Sequence, residues 1–531
     1  MDSATIHGKR APFPSASFLG PALSYEDDEN RTPRTAPGMP GAWAAPAGRR
    51  RRIAVIGAGA AGTLTATRLL DRAGRRGVAL EVALLDPAAE SGRGVAYSTE
   101  EPRHLLNVPA AAISADPDDP EDFLRWLSAR GDWADPYSFQ PRSRYGCYLA
   151  DLLGYSAAAA GPEVGLCRLR ERVTGISRAG NSILILRLAG GRALIADAVV
   201  LALGQFAPDT SWAPEMLREN PYFVADPWAP GALQGIPEHG DVLLVGTGLT
   251  MVDTALVMDR PGRVIHAISR SGLLPQPHSP RPLDRIPPPS FEGCDSLGDV
   301  RRAVLRHISA YRRQHGDWRP ALDALRPVTA QLWQRLAPTE QSRFLAEDAR
   351  LWDTHRHRIA PATGAILRNI KAAGRLDVAA AQLHDAKQAA DGDGLLVRLS
   401  DDRELRVAAV VNCTGPRNDF AGSGDPLIAE LLHLGWARPG PLGLGLDTAA
   451  DGRLVNARGD RPSAADPALW TLGAARRGTL WESTAIPELR VQALDLAAAI
   501  LDHDPGRSGS DASAAPAALP PLSLGSDFLY G

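Results

Sequence analysis

Cysteine is scarce in this chain and long apolar runs are missing, and each shortage excludes something. The 531 residues hold four cysteines, Cys147, Cys167, Cys294 and Cys413, far apart in sequence. They form neither a C-x-x-C pair nor a metal-ligand spacing, so a dithiol reductase centre and a structural metal site are not expected. Such sparing use fits a reducing cytoplasm, where buried thiols behave as small apolar residues. No segment reaches the roughly 18 uninterrupted apolar residues of a membrane span. Neither sign of charge dominates: the formal net charge is −3, which gives no electrostatic reason to expect a nucleic-acid partner.

What is present is an ordinary globular composition, 44% hydrophobic and 22% charged, in a chain longer than one core usually accommodates. Residues 1–50 run through Pro, Ala, Ser, Gly and Arg without an apolar period and are expected to be disordered, as is the tail 503–531. The basic run Arg49 to Arg52 precedes an apolar stretch, but glycines interrupt that stretch from Ile53 onward, so an export signal is the weaker reading.

Those glycines form a pattern. Arg52-Ile-Ala-Val-Ile-Gly57-Ala-Gly59-Ala60-Ala61-Gly62 reads as a buried strand turning into a helix that continues through Leu70. Gly57 permits the tight turn, Gly59 lets a pyrophosphate approach the backbone, and Gly62 lets the helix lie close to the strand. The free N–H groups of the helix start then face the phosphates. The next strand ends in Asp86, near the roughly 20-residue spacing at which a carboxylate holds the adenosine ribose.

A second such unit begins at Asp241-Val-Leu-Leu-Val-Gly246-Thr-Gly248-Leu249-Thr250-Met251. Met251 replaces the third glycine, so helix and strand are expected to sit further apart. The following strand ends in Ser269-Arg270, where a guanidinium favours the 2′-phosphate of NADPH over NADH. Arg270 as a mere solvated strand-end charge is the competing reading.

Two further strands end in glycine, at Leu203-Gly204 and at Gly415. In two-dinucleotide flavoproteins such strands mark where the chain crosses between the domains. A third runs into Gly473, followed by a loop and a helix whose apolar positions Leu489, Ala493, Leu496 and Ile500 keep a 3.6-residue period. Its N-terminus is suited to the pyrimidine edge of a reduced flavin.

The segments Gly92-Arg-Gly-Val-Ala-Tyr97, His104-Leu-Leu-Asn107-Val-Pro109, Gly246-Thr-Gly-Leu-Thr250 and Leu480-Trp-Glu-Ser-Thr-Ala-Ile-Pro-Glu488 together resemble the bacterial FAD/NAD(P)-binding protein family, across roughly residues 51–502. That family is similar to flavin-dependent N-hydroxylating monooxygenases. The resemblance implies an α/β fold with two Rossmann-like dinucleotide-binding domains and a helical insertion. FAD is assigned to 51–235 with 407–502, and NAD(P)H to 236–406, with the insertion at about 283–361. It further implies that Arg93, Tyr97, His104 and Asn107 line the FAD site with Leu480 and Trp481, and that Val173 lies by the adenine. Asn107 and Trp481 are the expected residues in the vicinity of the reacting ring.

The histidine signature of Baeyer–Villiger enzymes is missing from Gln205 to Trp212, which disfavours ketone oxygenation. The insertion carries clustered Arg and His, including Arg326, Arg356 and Arg358. These suit an anionic or amino-acid substrate, although an Arg-rich helix is more often a solvated face or an internal ion-pair network. His355 and His357 sit two apart, on different helix faces, so a metal pair is not expected.

The reaction implied is hydride transfer from NADPH to FAD, capture of molecular oxygen as a C4a-hydroperoxyflavin, and oxygenation of a small amine or amino acid. A reductase passing electrons to a quinone or protein acceptor, and a flavin-binding sensor without turnover, are the alternatives.

Overall fold

In the computed structural model, residues 50–88, 90–132, 135–180 and 183–503 are described. Of the ends expected to be disordered, 1–50 and 503–531, all but residues 50 and 503 lie outside them. Each glycine turn sits in its own parallel sheet. The first sheet has the strand order Leu469–Thr471, Ala198–Leu201, Arg51–Ile56, Leu80–Leu85, Val164–Leu169. Every neighbouring pair in it is parallel. Ile53, Ala54 and Val55 are fully buried, because parallel strands are covered on both faces and so read as continuous apolar runs.

Helices Ala60–Arg76, Arg142–Ala159 and Ile486–Asp502 cover one face. The antiparallel strands Val173–Ala179, Ile183–Leu188 and Ala193–Ala196, with helix Pro426–His433, cover the other.

The second sheet repeats the arrangement in the order Leu376–Ala380, Ile265–Ser269, Val242–Val245, Ala409–Asn412, Phe223–Val224, again parallel throughout. Helices Leu249–Met258 and Pro361–Ala372 pack on one side. The antiparallel strands Leu383–Gln388, Leu395–Leu399 and Glu404–Val407 pack on the other. Phe223–Val224 and Ala409–Asn412 lie just outside 236–406 on either side, yet they belong to this sheet because they complete its parallel edge.

Two connections therefore pass between the sheets. They are tied together by the Asp209–Arg417 ion pair and by Phe206 meeting Phe420 edge-on, with ring centroids 4.8 Å apart. A second tie joins helix Arg142–Ala159 to helix Leu249–Met258. Arg142 Nη1 and Nη2 donate to the two oxygens of Asp253 at 2.7 and 3.3 Å.

The segment after Ile265–Ser269 folds into helices Leu297–His315, Arg319–Asp323, Thr329–Arg335, Pro338–Glu347 and Ala349–Arg356. The Ser296 hydroxyl caps the first of these by accepting the Asp299 N–H, and Gly316 ends it in a left-handed conformation. The insertion then grips the segment that leads into the last helix and that helix's first turn. Trp333 Nε1 donates to the Gly478 carbonyl at 2.7 Å, Trp352 Nε1 to Glu482 at 3.0 Å, and Arg326 to both oxygens of Glu488 at 2.6 Å. No helix among the described residues is long and apolar enough to cross a membrane.

Candidate cofactor sites

Parallel pairing brings the C-terminal ends of the first sheet's strands to one edge, so Gly57, Asp86, Leu203-Gly204 and Gly473 gather there, as expected of ligand-binding α/β sheets. Gly57 adopts φ +101°, and a Cβ on it would stand 2.3 Å from the Ala202 carbonyl oxygen, so only glycine fits. At Gly62 a Cβ would collide with the Gly57 carbonyl at 1.8 Å. Gly59 differs: the nearest atom to its missing Cβ is Gly94 Cα at 3.5 Å, an ordinary contact beside the helix start rather than a collision. Helix Ala60–Arg76 has Gly59 as N-cap and no side-chain cap, so the amides at Ala60 and Ala61 have no capping side chain. Asp86 accepts the Ala58 N–H and the Ala88 N–H, both at 2.7 Å, which fixes its carboxylate under the turn.

Gly473 (φ +72°) donates its N–H to Gln492 Oε1 at 3.1 Å, and its missing Cβ would stand 3.9 Å from that of Ala61. Leu203 is half-buried and Gly204 exposed. Val173 opens its strand with the side chain in the core, 4% exposed. Arg93 pairs with Glu90, and Tyr97 packs on Tyr145 with ring centroids 5.0 Å apart. Burial pushes the Tyr97 phenol up, partly opposed by Arg142.

His104 is 4% exposed and both its ring nitrogens meet protein atoms, Nδ1 the Thr99 hydroxyl at 2.7 Å and Nε2 the Asp253 carbonyl at 3.1 Å. It thus joins the two nucleotide-binding parts, and neither ring nitrogen is left over for a ligand. Asn107 is half-buried and its side-chain amide has no partner among the described residues, while its backbone carbonyl accepts the His278 Nε2–H at 2.9 Å.

Burial, with Arg358 nearby, lowers the His278 pKa from 6.5 to about 4. Unfolding therefore takes up a proton between those values, and this contribution to stability is complete above pH 6.5 and lost as the pH falls toward 4. His278→Gln should flatten the dependence of the denaturation midpoint on pH in that window. An unchanged slope would show that the imidazole is not held neutral.

Leu480, Trp481 and Glu482 form a tight reverse turn in which the Glu482 N–H donates to the Leu480 carbonyl at 2.8 Å and Trp481 takes φ +62°. For a bulky side chain that backbone is strained. The surroundings hold it: Trp481 stacks on Trp333 at 5.2 Å, the Arg477 guanidinium lies 4.6 Å from its ring centroid, and it is 6% exposed. Immediately after it, Ser483 Oγ and Trp481 Nε1 are buried without partners among the described residues, and Thr484 and Ala485 are exposed. Helix Ile486–Asp502 begins there with no side-chain cap. Orphaned donors beside an uncapped helix start suit a flavin pyrimidine edge, so the residues present fit FAD.

The second turn mirrors the first. Gly246 has φ +111° and a Cβ on it would meet the Cys413 carbonyl at 2.2 Å. Helix Leu249–Met258 starts at Gly248 without a side-chain cap, with Leu249 and Thr250 half-buried. Met251 is fully buried, in the core between this helix and its sheet. Ser269 Oγ meets Thr247 Oγ1 at 2.8 Å and accepts the Gly272 N–H at 3.0 Å, so its hydroxyl braces the turn. Arg270 is exposed and makes no hydrogen bond or ion pair among the described residues.

Sequence reasoning missed three groups that act here. Asp253 could have been found: it is the one charge on helix Leu249–Met258, and it is 5% exposed. His278 and Arg350 carry no local signal. The cationic cluster of the insertion proves to be mostly an ion-pair network: Arg319 with Asp317, Arg326 with Glu488, Arg356 with Glu482 and Arg358 with Asp323. His355 and His357 point to different partners, His355 to the Leu351 carbonyl and Trp318, His357 to Asp353.

These features define a two-dinucleotide flavoprotein fold. Residues 54–206 match a family model described as FAD-NAD(P)-binding. Comparison with curated protein sequences gives no match. Among solved structures the chain is similar to the ornithine N-hydroxylase of Kutzneria sp. 744, solved with reduced FAD, NADP+ and L-ornithine. That similarity has 15% identity, a TM-score of 0.57, and covers 85% of this chain and 99% of that one. L-lysine 6-monooxygenase from Pseudomonas syringae matches with 18% identity and TM-score 0.56, over 85% and 99%. The FAD-bound cadaverine monooxygenase of Erwinia amylovora matches with 14% identity and TM-score 0.55, over 89% and 98%.

Proposed function

We propose that this chain is an FAD-dependent, NADPH-oxidising monooxygenase that N-hydroxylates a small amine or amino acid. The observation that carries the reading is the pair of uncapped glycine-turn helices on two parallel sheets, with the helical insertion clamped onto the loop that leads into a third uncapped helix. The similar solved proteins that hydroxylate ornithine, lysine or cadaverine support it by fold.

Bound FAD would accept hydride from NADPH and reduce molecular oxygen. The chain's own residues have four tasks. Gly57, Gly59, Ala60, Ala61 and Gly62 take the flavin nucleotide's pyrophosphate, and Asp86 the ribose. Gly246, Gly248, Leu249 and Thr250 take NADPH, with Arg270 on its 2′-phosphate. Arg142, His104 and Asp253 hold the two nucleotide parts in register. The insertion, packed against Trp481, excludes water from the junction, and the unpartnered amide of Asn107 is the group offered to the flavin or the substrate.

The net reaction consumes one NADPH, one proton, one oxygen molecule and one amine, and yields NADP+, water and a hydroxylamine. The test is turnover of FAD-loaded protein with a panel of ω-amino acids and diamines in air, scoring hydroxylamine against hydrogen peroxide. Hydroxylamine in step with NADPH consumption supports the proposal. NADPH consumption that follows an added quinone and leaves every amine untouched favours the reductase reading. No consumption under any condition favours a flavin-binding sensor.

A further inference from the structure

We propose that Arg350, carried by the insertion, is a ligand to the pyrophosphate of the dinucleotide at the second glycine turn. This rests on reading that turn as the NAD(P)H site. In a dinucleotide-binding turn the second glycine leaves out its side chain so that the pyrophosphate can come up to the backbone. At Gly248 the one atom within 4 Å of the missing Cβ, apart from its chain neighbours, is Arg350 Nη1, at 3.9 Å. At the first turn the corresponding space, beside Gly59, is bordered by the Gly94 backbone instead. A guanidinium therefore stands on the rim of the space a phosphate would enter.

Arg350 is anchored by one end only. Its Nη2 donates to the Thr247 carbonyl at 3.1 Å, to Thr247 Oγ1 at 3.0 Å and to the Leu273 carbonyl at 2.5 Å. Thr247 is in turn braced by Ser269. Nη1 and Nε have no hydrogen-bond partner among the described residues, and no carboxylate there lies within ion-pairing distance of this side chain. The other insertion arginines described above each have one.

Burial holds the Arg350 pKa below its ordinary value, with Asp353 opposing that effect from further away, so the cation sits in a partly desolvated place without a counter-ion. The uncapped start of helix Leu249–Met258 adds its partial positive charge to the same space. A guanidinium and a helix N-terminus facing one gap is a pairing that a pyrophosphate satisfies on both sides. The helix that carries Arg350, Ala349–Arg356, also reaches the loop near the flavin through Trp352 and Arg356, which both bond Glu482. Binding of the dinucleotide would thus tie the insertion to both nucleotide parts at once.

Arg350 and Arg270 should then read different phosphates, and that difference is the test. The FAD-loaded full chain is titrated calorimetrically with NADP+, which has the pyrophosphate and the 2′-phosphate, and with 2′-AMP, which has only the latter. Arg350→Ala is expected to weaken NADP+ by about ten- to hundredfold and to leave 2′-AMP unchanged, with Arg350→Lys recovering part of the loss. Arg270→Ala is expected to weaken both ligands. FAD content and melting temperature of each variant show that the fold is intact.

The proposal is overturned if Arg350→Ala binds NADP+ as well as or better than the wild type, since the guanidinium is then a bystander or a plug. It is also overturned if 2′-AMP is lost to the same degree, since Arg350 then only shapes the turn. Wild-type protein that binds neither ligand would instead overturn the NAD(P)H reading itself.

Discussion

Gly59→Ala should give a folded chain that no longer retains FAD. The residue has φ −67°, open to any side chain, and an added Cβ would stand 3.5 Å from Gly94 Cα, an ordinary contact. Nothing in the protein opposes the substitution. The methyl group would occupy the space through which a pyrophosphate reaches the amides of Ala60 and Ala61. Losing two charge-assisted hydrogen bonds of about 1.5–3 kcal/mol each corresponds to about 10²- to 10⁴-fold weaker FAD binding. Gly57→Ala and Gly62→Ala are different in kind, because their side chains would overlap carbonyl oxygens at 2.3 and 1.8 Å and perturb the fold itself. Flavin content after gel filtration, alongside melting temperature, separates the cases. Gly59→Ala that keeps its flavin would mean that the phosphates do not approach this turn.

Asp253→Ala should destabilise the chain by about 3–5 kcal/mol, the range found when one partner of a buried ion pair is removed. Arg142 and Asp253 expose only 16% and 7% of their side chains, so Arg142 would be left as an uncompensated, largely buried cation. Replacing both partners with apolar residues, as in Arg142→Met with Asp253→Leu, should recover much of the loss, because the penalty comes from the orphaned charge. Urea denaturation of the single and double variants measures this. Equal stability of Asp253→Ala and wild type would show that the pair contributes nothing, and that the two nucleotide parts are held in register by other contacts. The same variant should slow reduction of bound flavin by NADPH, because the helix that Asp253 occupies starts at the second glycine turn.

How much of this was readable in the sequence follows from how local each feature is. A dinucleotide turn is strand, glycines and helix in immediate succession, and its acid lies on the next strand, so Gly57, Gly59, Gly62 and Asp86 were all legible. The parallel pairing Ile53↔Val82 is what then carries Asp86 to the turn. The α/β class with two such units and a helical insertion was legible for the same reason.

Long-range pairings were not. Arg142 meets Asp253 across 111 residues and Arg350 meets Thr247 across 103. Neither arginine lies in a motif. The clustered arginines of the insertion favour a solvated face or a network over substrate ligands, and three-dimensional placement of Asp323, Glu482 and Glu488 decides for the network. His104 carried an expectation of lining the flavin site. Its ring lies against Trp228 and bonds Thr99 and Asp253, contacts that no local pattern encodes. The edge strand Phe223–Val224 is two residues long, too short to leave any periodicity.

On the proposed function, one chain holds a flavin at the first turn and the nucleotide that reduces it at the second. Anaerobic titration of the FAD-loaded, gel-filtered protein with NADPH tests both halves together. One flavin per chain, bleached at one equivalent of NADPH, is the expected result. Protein that emerges colourless after incubation with excess FAD, or whose flavin band is unaffected by NADPH, would contradict it.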